Sequence, residues 1–365
     1  MKKLVPDYIQ NAKLYPPGIP LEEVKRKLGI DNIVKLNSNE NSLGPSPEAV
    51  KAICEAATKV NLYPDNSAFY LKQKLAEKYD VLPEQIILGN GSNELVQFIL
   101  MTFLLPGEEV ITCSPTFLLY GIMSRVMGGK VKEAALKDFC FDLEAVLSEI
   151  TANTKLVFIS NPNNPTGTIV SADDYKNFMA KIPDDVIVVM DEAYYEYVTD
   201  KDFPDSIGYV RDNKNVIVLR TFSKAYGLAG LRIGYAFAPE RLVDQMEKVR
   251  EPFNANSLAQ KAALAALDDV EHIRKTTENN RTGLSYVYEQ LRNLDLDFIS
   301  TQANFVAVKL GADAGRICNR LMKEGVLVRN MESFNMAEYI RVSIGLADEN
   351  ERFIKTLEKI LILAS

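Results

Sequence analysis

Six short apolar runs, at 86–88, 110–112, 156–159, 186–190, 216–219 and 233–237, constrain this chain more than any other feature. Most are uninterrupted rather than alternating, the pattern of strands buried on both faces of a mainly parallel sheet. Helical stretches separate them, so the chain reads as an α/β protein. Ser46 followed by Pro47 predicts a capped helix start, and Ser171 with Asp174 predicts a capping box. After about residue 255 the texture changes. A long helical region (257–292) precedes shorter strands at 304–308, 326–328 and 339–344, and an amphipathic helix begins at Asp348.

At 365 residues the chain exceeds the usual ~100–200 residues of one domain, which predicts two. The expected division is a large α/β domain over 38–255 and a smaller α+β domain over 256–365 that also recruits the arm 1–37.

Composition removes several classes of function. A net charge of -7 argues against nucleic acid as the main partner, because phosphate backbones reward clustered positive charge. Local arginines can still hold small anions. The most apolar run, 96–105, is too short to span a membrane, which takes ~20 residues. Pro6 and Asp7 interrupt MKKLVPDYIQ, so no signal-peptide core is expected there. Cys54, Cys113, Cys140 and Cys318 are widely spaced and form no metal-type pair, which suits a reducing cytoplasm. His272 is the only histidine, and its charged helical surroundings predict an exposed position. A Ser-His-Asp triad or a histidine-rich zinc site is therefore not expected. Proton transfers would fall to Lys, Asp, Glu, Tyr or a cofactor.

In open α/β sheets, ligands sit outside the carboxyl ends of the strands. The first run leads into GNGSNE, a glycine-bearing turn that opens a helix and presents the Ser92 and Asn93 backbone to a phosphate. It lacks the GxGxxG spacing of a dinucleotide site. The run 156–159 leads into SNPNNPTG, a proline-bracketed turn displaying asparagines. The run 186–190 leads into DEAYYEY with Asp191 at its end, and 216–219 leads into RTFSK. Lys224 stands there among small and apolar neighbours, where burial would lower its pKa and make its amine reactive. Taken singly, GNGSN reads as a tight turn, Asp191 as a helix cap and Lys224 as a surface lysine. Taken together they describe a site for pyridoxal 5′-phosphate. That cofactor needs a lysine amine, a carboxylate for its ring nitrogen and donors for its phosphate. Thr221, Ser223 and Arg232 supply further donors.

With these motifs in view, the chain resembles the pyridoxal-phosphate-dependent aminotransferases of the aspartate aminotransferase fold, and within them the histidinol-phosphate branch. The resemblance runs through LNSNENSLGPSP, NLYPD, GNGSNE, NPNNPTG, DEAYYEY, TFSKAYGLAGLRIGY, EPFNANSLAQ, GVLVRN and YIRVSIG. It implies that Asn164 and Tyr194 meet the cofactor's ring oxygen, that Asp191 pairs with the ring nitrogen, and that Ser223 and Arg232 hold the phosphate. It implies a homodimer with shared sites, in which Tyr63 reaches the phosphate of the other subunit. Phe117 occupies a ring-stacking position where many relatives carry tyrosine. Arg341 and Arg329 would bind substrate anions, and Tyr15 would line the substrate pocket.

The implied reaction is transamination of L-histidinol phosphate with 2-oxoglutarate, giving imidazole-acetol phosphate and glutamate. Lys224 is the implied general base at the α-carbon, and ping-pong kinetics would follow. An aromatic amino-acid aminotransferase, a phosphothreonine-type decarboxylase and a non-catalytic sensor share much of the motif set.

Overall fold

The computed structural model describes residues 4–16, 18 and 20–363. Residues 1–3, which carry the first lysines of the N-terminal reading, and Pro17 of LYPPG lie outside the described residues. The strands, in chain order, are β1 (Val34–Lys35), β2 (Ile86–Gly89), β3 (Glu109–Ser114), β4 (Lys130–Lys137), β5 (Cys140–Phe141), β6 (Thr154–Ser160) and β7 (Ile187–Asp191). They continue as β8 (Val216–Thr221), β9 (Gly234–Phe237), β10 (Phe298–Ile299), β11 (Phe305–Lys309), β12 (Val326–Leu327), β13 (Arg329–Asn330) and β14 (Tyr339–Ser343).

The large sheet has the order β2-β9-β8-β7-β6-β3-β4-β5. The central strands β8, β7, β6, β3 and β4 run parallel, while β9 is antiparallel to both of its neighbours. Alternate side chains explain the uninterrupted runs. Val216 and Val218 enter the core on one face, and Ile217 and Leu219 enter the core on the other. Val188 and Met190 are divided from Ile187 and Val189 in the same way. Each such burial stabilises the fold by roughly 1.5–3 kcal/mol relative to exposure.

β4 and β5 are strands that the apolar pattern does not show. β4 reads KVKEAALK and lies near the sheet edge, where only Ala134 is buried and charged side chains face outward. Such charges also discourage edge-to-edge pairing with other chains.

The helical region after residue 255 is two helices, Ser257–Asp268 and Val270–Asn293. Asp269 breaks them, and its carboxylate accepts the His272 N–H at 3.0 Å. His272 corrects the sequence expectation, because it is buried at 8 % exposure. It belongs to a buried stripe with Thr276, Asn280, Gly283, Val287 and Leu291, while Glu271, Arg274 and Lys275 point outward. Both predicted helix starts are capped, since Ser46 Oγ accepts from Ala49 N–H and Ser171 Oγ accepts from Asp174 N–H. The box at Ser171 is only half made, because Asp174 Oδ2 accepts from the Ser171 hydroxyl at 2.7 Å instead of from its backbone N–H.

The smaller sheet is antiparallel in the order β10-β11-β14-β13. Val306, Val308, Ile340 and Val342 pack with residues of the helices Ala314–Lys323 and Ala347–Ile362 in a separate core. β1 pairs in parallel with β12, which ties the N-terminal segment to this part of the chain. No helix of the described residues is long and apolar enough to cross a membrane.

Candidate active site

The parallel strands deliver their carboxyl ends to one edge of the sheet, where a cavity of about 210 Å³ opens. Asp191 is the last residue of β7, and Thr221 the last of β8, with Ser223 and Lys224 following after Phe222. β6 ends at Ser160 and feeds the loop bearing Asn164, while β2 feeds the helix Ser92–Phe103. Arg329 and Arg341 arrive from β13 and β14 of the small sheet, and Tyr15 from the N-terminal arm. Every predicted site residue lines this cavity except Tyr63. Tyr63 is 83 % exposed and stacks on Phe253 at 4.6 Å, outside it.

Lys224 donates to the Ser38 carbonyl at 3.2 Å, and its amine stands 5.6 Å from the centre of the Tyr194 ring. Burial lowers the amine to about 8, helped by the Arg341 and Arg232 guanidiniums and opposed by Glu40 and Asp191. Asp191 is 5 % exposed, and burial raises its carboxyl to about 6. Two donors restrain that rise. Tyr120 O–H donates to Oδ2 at 2.6 Å, and Ala193 N–H donates to Oδ1 at 3.2 Å.

The three asparagines of NPNNPTG divide their labour. Asn161 Oδ1 accepts Val170 N–H, and Asn163 bonds Thr116 and Thr166, so both brace the loop. Asn164 alone faces the cavity, where its Oδ1 accepts from Arg341 Nη1. Arg341 also donates to the Asn37 carbonyl at 3.3 Å, and its buried Nε has no partner among the described residues. Arg329 donates to the Pro16 carbonyl at 2.6 Å. Phe334 lies against both guanidiniums, 5.9 Å from Arg341 and 5.8 Å from Arg329.

The remaining corner is built for an anion. The helix Ser92–Phe103 opens with Gly91 at φ 80, and no side chain among the described residues caps its first N–H groups. A Cβ at Gly91 would fall 2.2 Å from Arg232 Nη2, so glycine is what lets the guanidinium approach the helix N-terminus. Arg232 itself has φ 56 and donates to Ser223 Oγ at 3.2 Å. A non-glycine residue held in that conformation marks a position fixed by its surroundings.

Sequence reasoning missed Tyr120, Phe334 and the segment 37–39. Tyr120 stacks on Phe158 at 4.9 Å and reads as core in an apolar helix. Its one available signal was its place one turn after Phe117. Asn37, Ser38 and Asn39 hold Arg341, Lys224 and Tyr194 respectively, although they lie far from them in sequence.

Comparison with known proteins gives this geometry its context. The structure is similar to that of the aspartate aminotransferase of Thermus thermophilus with maleate, at TM-score 0.85 and 26% identity, covering 98% of this chain and 99% of that one. The fold is thus that of the aspartate aminotransferases. The family model described as aminotransferase class I and II matches residues 31–357, and the chain belongs to that family. The histidinol-phosphate aminotransferase of Moorella thermoacetica is 46% identical over 97% of this chain and 92% of its own length. Histidinol-phosphate aminotransferase 2 of Carboxydothermus hydrogenoformans is 46% identical over 97% and 98%. A crystal structure of the histidinol-phosphate aminotransferase of Sinorhizobium meliloti, in complex with pyridoxal-5′-phosphate, matches at TM-score 0.91 and 28% identity, covering 99% and 98%.

Proposed function

We propose that this chain transfers the amino group of L-histidinol phosphate to 2-oxoglutarate, giving imidazole-acetol phosphate and glutamate, with pyridoxal 5′-phosphate as cofactor. One observation carries the reading. A lysine amine, a carboxylate, a helix N-terminus with its arginine, and two further arginines converge on a single cavity. The near-full-length similarity to histidinol-phosphate aminotransferases supports the substrate.

The residues fit the cofactor chemically. Asp191 would meet the ring nitrogen as an anion, and a cation there would favour its ionised form against the effect of burial. Asn164 and Tyr194 would meet the ring oxygen, and Phe117 the ring face. The Ser92 and Asn93 backbone, Thr221, Ser223 and Arg232 would hold the phosphate. When bound, pyridoxal phosphate supplies an electron sink for the bond broken at the substrate α-carbon. Lys224 Nζ takes the α-proton and returns it, a task suited to an amine whose pKa lies near the working pH. Arg329 and Arg341 bind the phosphate of the amino donor and, in the second half-reaction, a carboxylate of 2-oxoglutarate. Tyr15 lines the substrate pocket.

In this reading the active unit is a cytoplasmic homodimer. The exposed Tyr63–Phe253 pair supports a shared site, in which Tyr63 serves the other subunit's cofactor phosphate. The free cysteines suit a reducing compartment. The division into 38–255 and 1–37 with 256–365 belongs to the same reading. The pairing of β1 with β12 supports joining 1–37 to the C-terminal part, while Ala259, Ala262, Ala263 and Ala266 pack in the core of the large sheet and carry the helix Ser257–Asp268 over to the larger part.

The test is a panel of amino donors assayed with 2-oxoglutarate. L-histidinol phosphate should give the highest kcat/KM. Faster turnover of phenylalanine or tyrosine would replace the substrate assignment with aromatic amino acids.

A further inference from the structure

Asn39 is buried at 2 % exposure and adopts φ 54, a conformation that asparagine tolerates better than most residues. Its hydrogen bonds form a directed chain. The Asn39 backbone N–H can only donate, and it donates to Ser343 Oγ at 2.8 Å. Ser343 O–H then donates to Asn39 Oδ1 at 3.1 Å. Both hydrogen bonds of Ser343 Oγ thus run to Asn39, and a reversed amide would leave the serine hydrogen without an acceptor. The amide nitrogen is therefore the end that faces Tyr194, and Nδ2–H donates to its phenol oxygen at 2.9 Å. A phenol oxygen that accepts on that side keeps its own hydrogen for the opposite side, where Tyr194 lines the cavity.

We infer that Asn39 is a positioning residue that sets the direction of the Tyr194 hydroxyl, so that its proton is donated into the cavity rather than back into the protein. The phenol is suited to that part. Burial pushes it up to about 12, so it remains a donor across the working range, and Phe305 packs edge-on against its ring at 5.2 Å. The Asn39 main chain is fixed as well, since Asn304 Nδ2 donates to its carbonyl at 3.2 Å. The inference rests on the reading above, in which Tyr194 meets the cofactor's ring oxygen.

Asn39→Asp tests it with little change of shape. A carboxylate still accepts from Ser343, but it cannot donate to Tyr194. The phenol would turn its hydrogen toward the carboxylate and withdraw it from the cavity. Four cofactor-loaded proteins are compared: unmodified, Asn39→Asp, Tyr194→Phe and the double variant. Asn39→Asp should lower kcat by on the order of tenfold to a hundredfold, the scale of one hydrogen bond to a charged group, with a smaller change in KM. The pH midpoint of the cofactor's visible band should move by on the order of one unit. The double variant should match Tyr194→Phe within about twofold, because the direction of a missing hydroxyl cannot matter. Asn39→Gly, which suits the positive φ and adds no charge, should move the midpoint in the same direction by less. Thermal unfolding of the apo forms records whether each variant folds.

Multiplying losses in the double variant would overturn the proposal. So would lower thermal stability with an unmoved midpoint in both Asn39 variants, since Asn39 would then be only structural. An unmoved midpoint and full turnover in Tyr194→Phe would overturn the Tyr194 assignment and this inference together.

Discussion

Asp191 and Glu192 are consecutive residues, both buried, and the protein treats them in opposite ways. Glu192 accepts two hydrogen bonds from the Arg220 guanidinium, at 2.9 and 2.7 Å, in a pair almost closed to solvent. The guanidinium is further covered by the Tyr195 ring at 3.4 Å. Asp191 has a phenol and a peptide N–H, but no hydrogen-bonded cation among the described residues. Across the cavity, Lys224 is likewise without a salt-bridge partner among the described residues and rests on a backbone carbonyl. The period of the strand explains the split, since neighbouring residues leave its end toward different sides. A buried charge given its counter-ion by the chain itself is structural. One left for a ligand to neutralise marks the site.

The largest effects should separate the two clusters by activity. Lys224→Ala should lower turnover by roughly 10²–10⁴-fold through loss of the base alone. It should also remove the site at which borohydride fixes the cofactor. Asp191→Asn should cost on the order of 10²–10³-fold in kcat, the scale of one electrostatic contact to developing charge. Steady-state kinetics and mass spectrometry of the reduced protein check both. The reduced adduct on any other lysine would break the assignment of Lys224.

Stability should separate them in the other direction. Arg220→Met leaves Glu192 buried without its partner and should cost about 3–5 kcal/mol of folding free energy. Arg220→Met with Glu192→Leu removes both charges and should recover most of that loss. Chemical denaturation of the three proteins measures the coupling. Additive losses would mean that the pair is not the structural unit described.

Next comes the proposed substrate end, where Arg329 and Arg341 hold only neutral acceptors among the described residues. Removing one charge-assisted bond, worth roughly 1.5–3 kcal/mol, should lower kcat/KM for histidinol phosphate about tenfold to a hundredfold. Histidinol without its phosphate should show a comparable deficit with the unmodified protein, and Arg329→Ala should narrow the gap between the donors. An undiminished gap would move the phosphate away from Arg329.

What was legible in the sequence follows the same division. The central strands announce themselves because both faces are buried, and the cavity residues because each follows a strand directly. β4 was not legible, since a strand near the sheet edge with outward charges carries no apolar run. His272 was misread because its buried stripe is made partly of Thr276, Asn280 and Gly283, which carry no hydrophobic period. Tyr120 and Asn39 act through contacts 71 and 155 residues distant, a separation that only the fold closes.

The smallest effect is the most direct measure of the comparison, because it needs no cofactor. In the apo protein Asp191 is raised from 3.8 to about 6 by burial. Between those values the native state binds more protons than the unfolded chain, so stability falls as pH rises and stays reduced above 6. Lys224 is lowered from 10.5 to about 8, chiefly by burial. There the unfolded chain binds more protons, so stability rises between pH 8 and 10.5, and the cost is complete below 8. Asp191→Asn and Lys224→Met should therefore each stabilise the apo protein at pH 7, by about 1–2 kcal/mol, since one pKa unit corresponds to about 1.4 kcal/mol and partial solvent access reduces the total. The Asp191→Asn gain should appear between pH 4 and 6 and then hold. The Lys224→Met gain should be greatest below pH 8 and fade toward 10.5. Glu192→Gln should lose stability at pH 7, because Arg220 would be left with a neutral partner. Thermal melts of the apo proteins from pH 4 to 10 give all three curves, and a gain in Glu192→Gln matching that of Asp191→Asn would erase the distinction between the two carboxylates.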